Sequence, residues 1–213
     1  MSNLCRFCDI SNNKVDGIEN RPIIKNDDYY AIPSIGALVE GWILIVPRKH
    51  SCSMKDLYAD DNFRMFVNQV LSKVWTFYDS KVIAFEHGPN KMSSKTSCGT
   101  DHAHLHIVPY ENSLIEDIHS SGLTWVKCRS SQISTYAKEN EYLFYSELDK
   151  NGYWSDPVGY LHILEKPISQ FFRKIIANQL NCIDKYDYKV YKNIDSAIST
   201  QRLLSNPLGQ EQE

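Results

Sequence analysis

No stretch of the chain approaches the roughly 20 consecutive apolar residues that a helix needs to cross a bilayer, so no membrane span is expected. The opening MSNLCRFCDI has no apolar signal-peptide core either, which points to the cytosol. An excess of one charge is missing too: 23 Lys and Arg against 26 Asp and Glu give a formal net charge of −3. A strongly basic surface is thereby excluded, nucleic acid is not indicated as a partner, and any affinity for phosphate has to be local. The chain contains no internal repeat and no low-complexity block. Its six cysteines (5, 8, 52, 98, 128 and 182) are, in a reducing compartment, thiols or metal ligands and not a disulfide framework.

What is present suffices for a core. The 213 residues, 42% of them hydrophobic, fit one domain or one domain with an elaborated tail. NRPIIKNDDYYAIPSI reads as two short strands around a polar turn at Asn26 to Asp28. GWILIVPRKH is a continuous apolar run closed by Pro47, which suits a strand buried on both faces. From Met54 to Tyr78 the residues Phe63, Phe66, Val67, Val70, Val74 and Tyr78 recur at steps of three and four, which predicts an amphipathic helix. SKVIAFEHG is a further strand, followed by the polar loop PNKMSSKTSCGT. Later, ENEYLFYSELDKNGYWSDPVGYLHILEKP predicts a hairpin. Pro167 then opens a helix on which Phe171, Phe172, Ile175, Ile176 and Leu180 share a face, and SNPLGQEQE is expected to fray.

Of only seven histidines, three (His102, His104 and His106) alternate with Ala103, Leu105 and Ile107 in GTDHAHLHIVPY. Period two belongs to a strand, so the imidazoles share one face and the apolar residues take the other. Pro109 ends the ladder because it has no N–H. Solvent-facing strand positions normally use Thr, Lys, Glu or Ser, and three imidazoles in a row point instead to chemistry.

CRFC places Cys5 and Cys8 in a C-x-x-C unit, which alone fits a redox pair, two ordinary thiols or half of a metal site. The strand that precedes a thioredoxin-like site is missing. A zinc site needs two further ligands from afar, and His50 and His102 stand at the end and the start of predicted neighbouring strands. In the loop before the histidine row, Ser97 and Thr100 can donate to a phosphate and Gly99 lets the backbone approach closely. Asn90 is a further donor, and the same stretch also reads as an ordinary polar loop.

The row His102-Ala103-His104-Leu105-His106-Ile107-Val108 resembles the signature of the histidine triad proteins, nucleotide hydrolases and transferases. CRFC and IVPRKH are similar to the corresponding parts of zinc-containing members, and the likeness covers roughly residues 4 to 110. It implies a structural zinc held by Cys5, Cys8, His50 and His102, and members are often symmetric dimers. PISQFFRKIIA is similar to a Gln-Phe-x-Arg helix of longer members. This chain has SSKTSCGTDH where many members carry a Gly-Gln pair. It has AIPSIG where many place an Asp for the ribose diol, with Ser34 the nearest substitute. The implied architecture is α+β, a HIT-like antiparallel sheet of about five strands with a packed helix. Residues 1–112 form the nucleotide-binding domain and residues 113–213 a C-terminal extension of hairpin and helix on the same domain.

Within that resemblance His104 is expected to attack phosphorus, its other nitrogen bonded to the His102 carbonyl, and His106 to contact a phosphate oxygen and help protonate the departing group. A metal with four protein ligands has no open position and braces the strand. The expected activity is hydrolysis at the α-phosphate of a dinucleoside polyphosphate such as a diadenosine polyphosphate, a nucleotide phosphoramidate or an adenylylated compound, through a nucleotidyl-histidine. Nucleotidyl transfer to phosphate or a sugar phosphate is the enzymatic alternative, disfavoured by His106, where the uridylyltransferase branch has Gln. A catalytically silent, zinc-stabilised nucleotide- or RNA-binding module is the alternative of another class.

Overall fold

In the computed structural model, residues 5–92, 94, 101–151 and 153–206 are described. The strands are β1 (Ile24–Lys25), β2 (Tyr29–Pro33), β3 (Ile43–Pro47), β4 (Val82–Gly88), β5 (Leu105–Pro109), β6 (Val126–Arg129), β7 (Tyr142–Leu148) and β8 (Val158–Ile163). Among the described residues they form one sheet of eight strands, ordered β1-β2-β3-β5-β4-β7-β8-β6, and each adjacent pair is antiparallel. The helices are α1 (Arg6–Ser11), α2 (Asp61–Phe77), α3 (Ile115–Ser120), α4 (Ile133–Ala137), α5 (Phe171–Gln179) and α6 (Ile194–Ser205).

Strand alternation sorts the core into two layers. On one face Tyr29, Ala31, Ile43, Ile45, Ala84, Leu105 and Ile107 meet Phe63, Phe66, Val67 and Val70 of α2. On the other, Tyr30, Ile32, Leu44, Ile83, Phe85 and Val108 meet Phe7 and Ile10 of α1 and Phe172 and Ile176 of α5. Each large apolar side chain sealed this way contributes about 1.5–3 kcal/mol. The histidine row therefore faces the second layer, with Ala103, Leu105 and Ile107 in the first, as period two requires.

Eight strands replace the expected five or so. The edge of β4 away from β5 is taken by β7, from Val82↔Leu148 to Gly88↔Tyr142, and β8 and β6 continue the sheet. Period two tells which face a residue takes but not which free edge a distant hairpin joins. The four-residue β6 is exposed at three positions, so no alternating apolar pattern announces it.

Helix α2 begins at Asp61 and not near Met54. The Asp60 carboxylate accepts from Asn62 N at 2.6 Å and Phe63 N at 3.1 Å, an N-cap worth about 1 kcal/mol. Upstream, Met54 N and Tyr58 Oη donate to Glu86, which holds that segment out of the helix. Similarly, α5 starts at Phe171, four residues after Pro167, because Gln170 lies in the left-handed region (φ 55°).

Candidate active site and metal centre

Cys5 caps α1 and Cys8 lies within its first turn, so C-x-x-C turns both thiols to one side of a helix start. That side meets His50, just past β3, and His102, just before β5. One donor atom from each of the four lies within 4.8 Å of every other. Cys5 Sγ is 3.3 Å and Cys8 Sγ 3.6 Å from His102 Nδ1, and Cys8 Sγ is 3.2 Å from His50 Nδ1. A tetrahedron with bonds of about 2.3 Å to sulfur and about 2.0 Å to nitrogen has S–N edges of about 3.5 Å, so the set fits a single ion. His102 Nε2 donates to the Pro47 carbonyl at 2.7 Å, which leaves Nδ1 as the ring's lone pair. Burial pushes the His102 pKa down to about 4 against the opposing effect of that bond, so the ring is neutral, the form that ligates. These four residues could hold a metal ion.

Two residues on, the same chain turns to a different task. His104 Nδ1 donates to the His102 carbonyl at 2.8 Å, so the lone pair of this ring sits on Nε2. His104 and His106, 4.9 Å apart, line a cleft holding about 630 Å³ of empty space, part of it open to solvent. His106 is fixed in the opposite sense. Trp42 Nε1–H donates to His106 Nδ1 at 2.8 Å, and Phe85 stacks on the ring at 4.5 Å. The proton of His106 therefore resides on Nε2. Burial, reinforced by His104, Arg173 and His87, holds its pKa well below the ordinary imidazole range. Protonating Nδ1 would also set two N–H groups against each other. His106 is thus fixed as a neutral ring whose Nε2–H is its hydrogen-bond donor.

The C-terminal segment completes the cleft. Phe172 of α5 packs on Phe85 at 4.9 Å, and the Arg173 guanidinium lies 4.8 Å over the Trp42 ring while donating to the carbonyls of Tyr186 and Gly36. Gly36 has φ 73°, and a Cβ there would fall 2.4 Å from that of Tyr188, so only glycine lets this strap close over the loop between β2 and β3. Arg6 of α1 enters from the other side, held by Asn20 Oδ1 at 2.8 and 3.1 Å. Arg6 and Arg173 both line the cleft and give an overall acidic chain the local positive charge an anion needs.

Ser34, the expected sugar contact, is buried at 3% exposure in the cleft wall. Asn90 stands apart: it is exposed, its amide donates to the Glu139 carbonyl at 2.8 Å, and it is not among the residues lining the cleft. Ser97, Gly99 and Thr100 lie outside the described residues. The sequence reading missed Trp42, Arg6, Arg173 and His87. Trp42 and Arg6 carry no local signal; Arg173 stood in the Gln-Phe-x-Arg stretch, and His87 in a strand where its alternation toward the triad face could have flagged it.

Among solved structures, a histidine triad protein from Clostridium difficile matches with 20% identity and a TM-score of 0.40, covering 53% of this chain and 96% of the other. A HIT family hydrolase from Clostridium thermocellum matches with 15% identity and a TM-score of 0.39 over 53% of this chain and 95% of its own. A zinc-bound histidine triad family protein from Mycobacterium smegmatis gives 20% identity and 0.37 over 52% and 77%. No curated protein matches. No helix among the described residues is long and apolar enough to cross a membrane. Residues 1–121, more than half of the chain, match the family described as proteins similar to CwfJ C-terminal. With its histidine row set in an antiparallel sheet flanked by helices, this chain belongs to the family of proteins similar to CwfJ C-terminal.

Proposed function

We propose that the protein is a nucleotide hydrolase that cleaves at the α-phosphate through a nucleotidyl-histidine. The observation that carries this is the fixed tautomer of His104: Nδ1–H is tied to the His102 carbonyl, so the Nε2 lone pair belongs to a ring lining a cleft that also holds Arg6 and Arg173. In the first step Nε2 forms a bond to phosphorus while the bond to the leaving group breaks. From a dinucleoside polyphosphate a nucleoside polyphosphate leaves with the electron pair and needs no proton, whereas the amine of a phosphoramidate leaves with the electron pair and takes a proton from solvent. In the second step water attacks the same phosphorus, the N–P bond breaks, and the proton of water passes to solvent as the nucleotide departs. Arg6 and Arg173 offset the charge that gathers on the phosphoryl oxygens, and His106 Nε2–H supplies a neutral hydrogen bond.

The metal we assign is zinc, on the two thiolates and two imidazoles of Cys5, Cys8, His50 and His102. Bound there, it cross-links α1 to the strand ends and orients the His102 carbonyl on which the tautomer of His104 depends. Substrates expected are dinucleoside polyphosphates, nucleotide phosphoramidates and adenylylated compounds.

The test is turnover of these compounds by the full chain and by His104→Ala. Loss of a nucleophile should lower kcat by at least about 10³-fold, and acid quenching of the wild type should trap a nucleotidyl adduct on His104. Undiminished turnover in the variant overturns the proposal. Replacing water by phosphate as acceptor, with the products identified, separates hydrolysis from nucleotidyl transfer. Binding without either product or adduct would identify a catalytically silent module.

A further inference from the structure

His87 lies on β4, the strand beside β5. Phe85 pairs with His106 in the antiparallel register, so His87, two residues further along β4, runs alongside His104, two residues back on the partner. It lines the same cleft. Each of the three triad imidazoles has an assigned bond: His102 to Pro47, His104 to His102, and His106 from Trp42. His87 has none among the described residues: both Nδ1 and Nε2 are buried at the cleft wall without a hydrogen-bond partner there.

An imidazole kept only for its bulk would normally satisfy at least one nitrogen, since leaving polar atoms dry and unpaired opposes folding. Burial, with the adjacent His104 adding to it, pushes the His87 pKa down to about 4, so the free protein carries one N–H and one lone pair there. The titratable and charged side chains lining the cleft with it are His104 just before β5, His106 on β5, Arg6 on α1, Arg173 on α5 and Tyr188. None of these is an anion. Among the described residues nothing accepts from the His87 N–H, and a phosphate oxygen in the cleft is an acceptor that the two guanidinium groups also favour.

We propose that His87 is a third ligand-contacting imidazole of the cleft, beside His104 and His106, donating a hydrogen bond to an oxygen of the phosphate that His104 addresses. The assignment rests on the nucleotide reading above and adds a specific recognition role to it. It also gives the unpaired N–H a reason: the site is held ready for a phosphate at the cost of an unsatisfied donor in the free protein.

Isothermal titration of the full chain with AMP, GMP, CMP and UMP identifies the nucleotide taken up, and the matching nucleoside supplies the control without phosphate. His87→Phe fills the same space without an N–H and should weaken nucleotide binding about 10-fold to 100-fold while leaving the nucleoside unchanged. His87→Asn, which retains an N–H donor, should recover part of the loss. In the wild type, the ring ¹⁵N resonances of His87 should move on adding nucleotide and stay in place on adding nucleoside. Equal nucleotide affinity in wild type and His87→Phe overturns the proposal, as does an equal loss for nucleotide and nucleoside, which marks packing alone. If His87→Phe fails to fold, His87 resonances that stay fixed at nucleotide saturation still overturn it. Failure of the wild type to bind any of the four nucleotides overturns the nucleotide reading itself.

Discussion

Two imidazoles one alternation apart, His104 just before β5 and His106 within it, have opposite tautomers because their Nδ1 atoms meet different partners. A carbonyl takes the proton of His104, whereas an indole N–H takes the lone pair of His106. Trp42→Phe removes that indole donor and keeps an aromatic ring in the wall. The expected outcome is that His106 becomes a mixture of tautomers and that its pKa rises, because a protonated Nδ1 no longer faces another N–H. Ring ¹⁵N shifts followed against pH check both, and a single unchanged tautomer in the variant refutes the assignment. The alternation 102-104-106 fixed the side to which these rings point. The indole that decides the tautomer of His106 lies 64 positions away in sequence and carried no motif of its own.

At the scale of elements, β4 is held on one face by a single carboxyl group. Glu86 is fully buried and accepts from Met54 N at 2.7 Å, Tyr58 Oη at 2.7 Å and Tyr142 Oη at 2.5 Å, tying β4 to the segment before α2 and to β7. Burial raises its pKa to about 7 despite those three bonds, all of which favour the ionised form. The sign follows from linkage. Between the ordinary carboxylate range near 4.5 and about 7, the folded chain binds the proton more tightly than the unfolded chain, so this group's contribution to stability declines as pH rises through that window and is flat above it. The full span is on the order of 3 kcal/mol. Denaturant melts at pH 5 and pH 7.5 should therefore differ less in Glu86→Gln than in the wild type. An identical pH dependence in both refutes the raised pKa. The sequence shows a strand here, but a Glu at an inward-facing position reads as a break in the pattern until its two tyrosines, 28 and 56 positions away, are seen to meet it.

On the scale of the whole molecule, the two parts of the chain share one sheet and one cleft. β7 joins the edge of β4, α5 covers the triad face, and α6 returns so that Thr200 Oγ1 accepts from Gly41 N at 2.9 Å. Cys5, Cys8, His50 and His102 bring α1, the end of β3 and the start of β5 together, and the proposed metal would cross-link them. Removing the metal with a chelator should lower Tm by an amount on the order of 10 °C while the protein remains folded, since the two apolar layers persist. Calorimetry of metal-loaded and chelated protein, with metal content measured by mass spectrometry, checks this. Equal Tm values would show that the four residues do not brace the fold.

The sequence by itself determined the local periodicities: three imidazoles alternating with apolar residues, an apolar stripe on the helix after Asp60, and a C-x-x-C pair that could supply half of a ligand set. These are legible because each depends on neighbours within a few residues, where the backbone repeat alone sets direction. Only the tertiary structure decided which tautomer each imidazole takes, that α5 and its arginine close the cleft, that the sheet runs on through β7, β8 and β6, and that His87 lines the cleft beside His104 and His106. Each of these depends on contacts between residues distant along the chain, and backbone periodicity carries no information about which of them will meet.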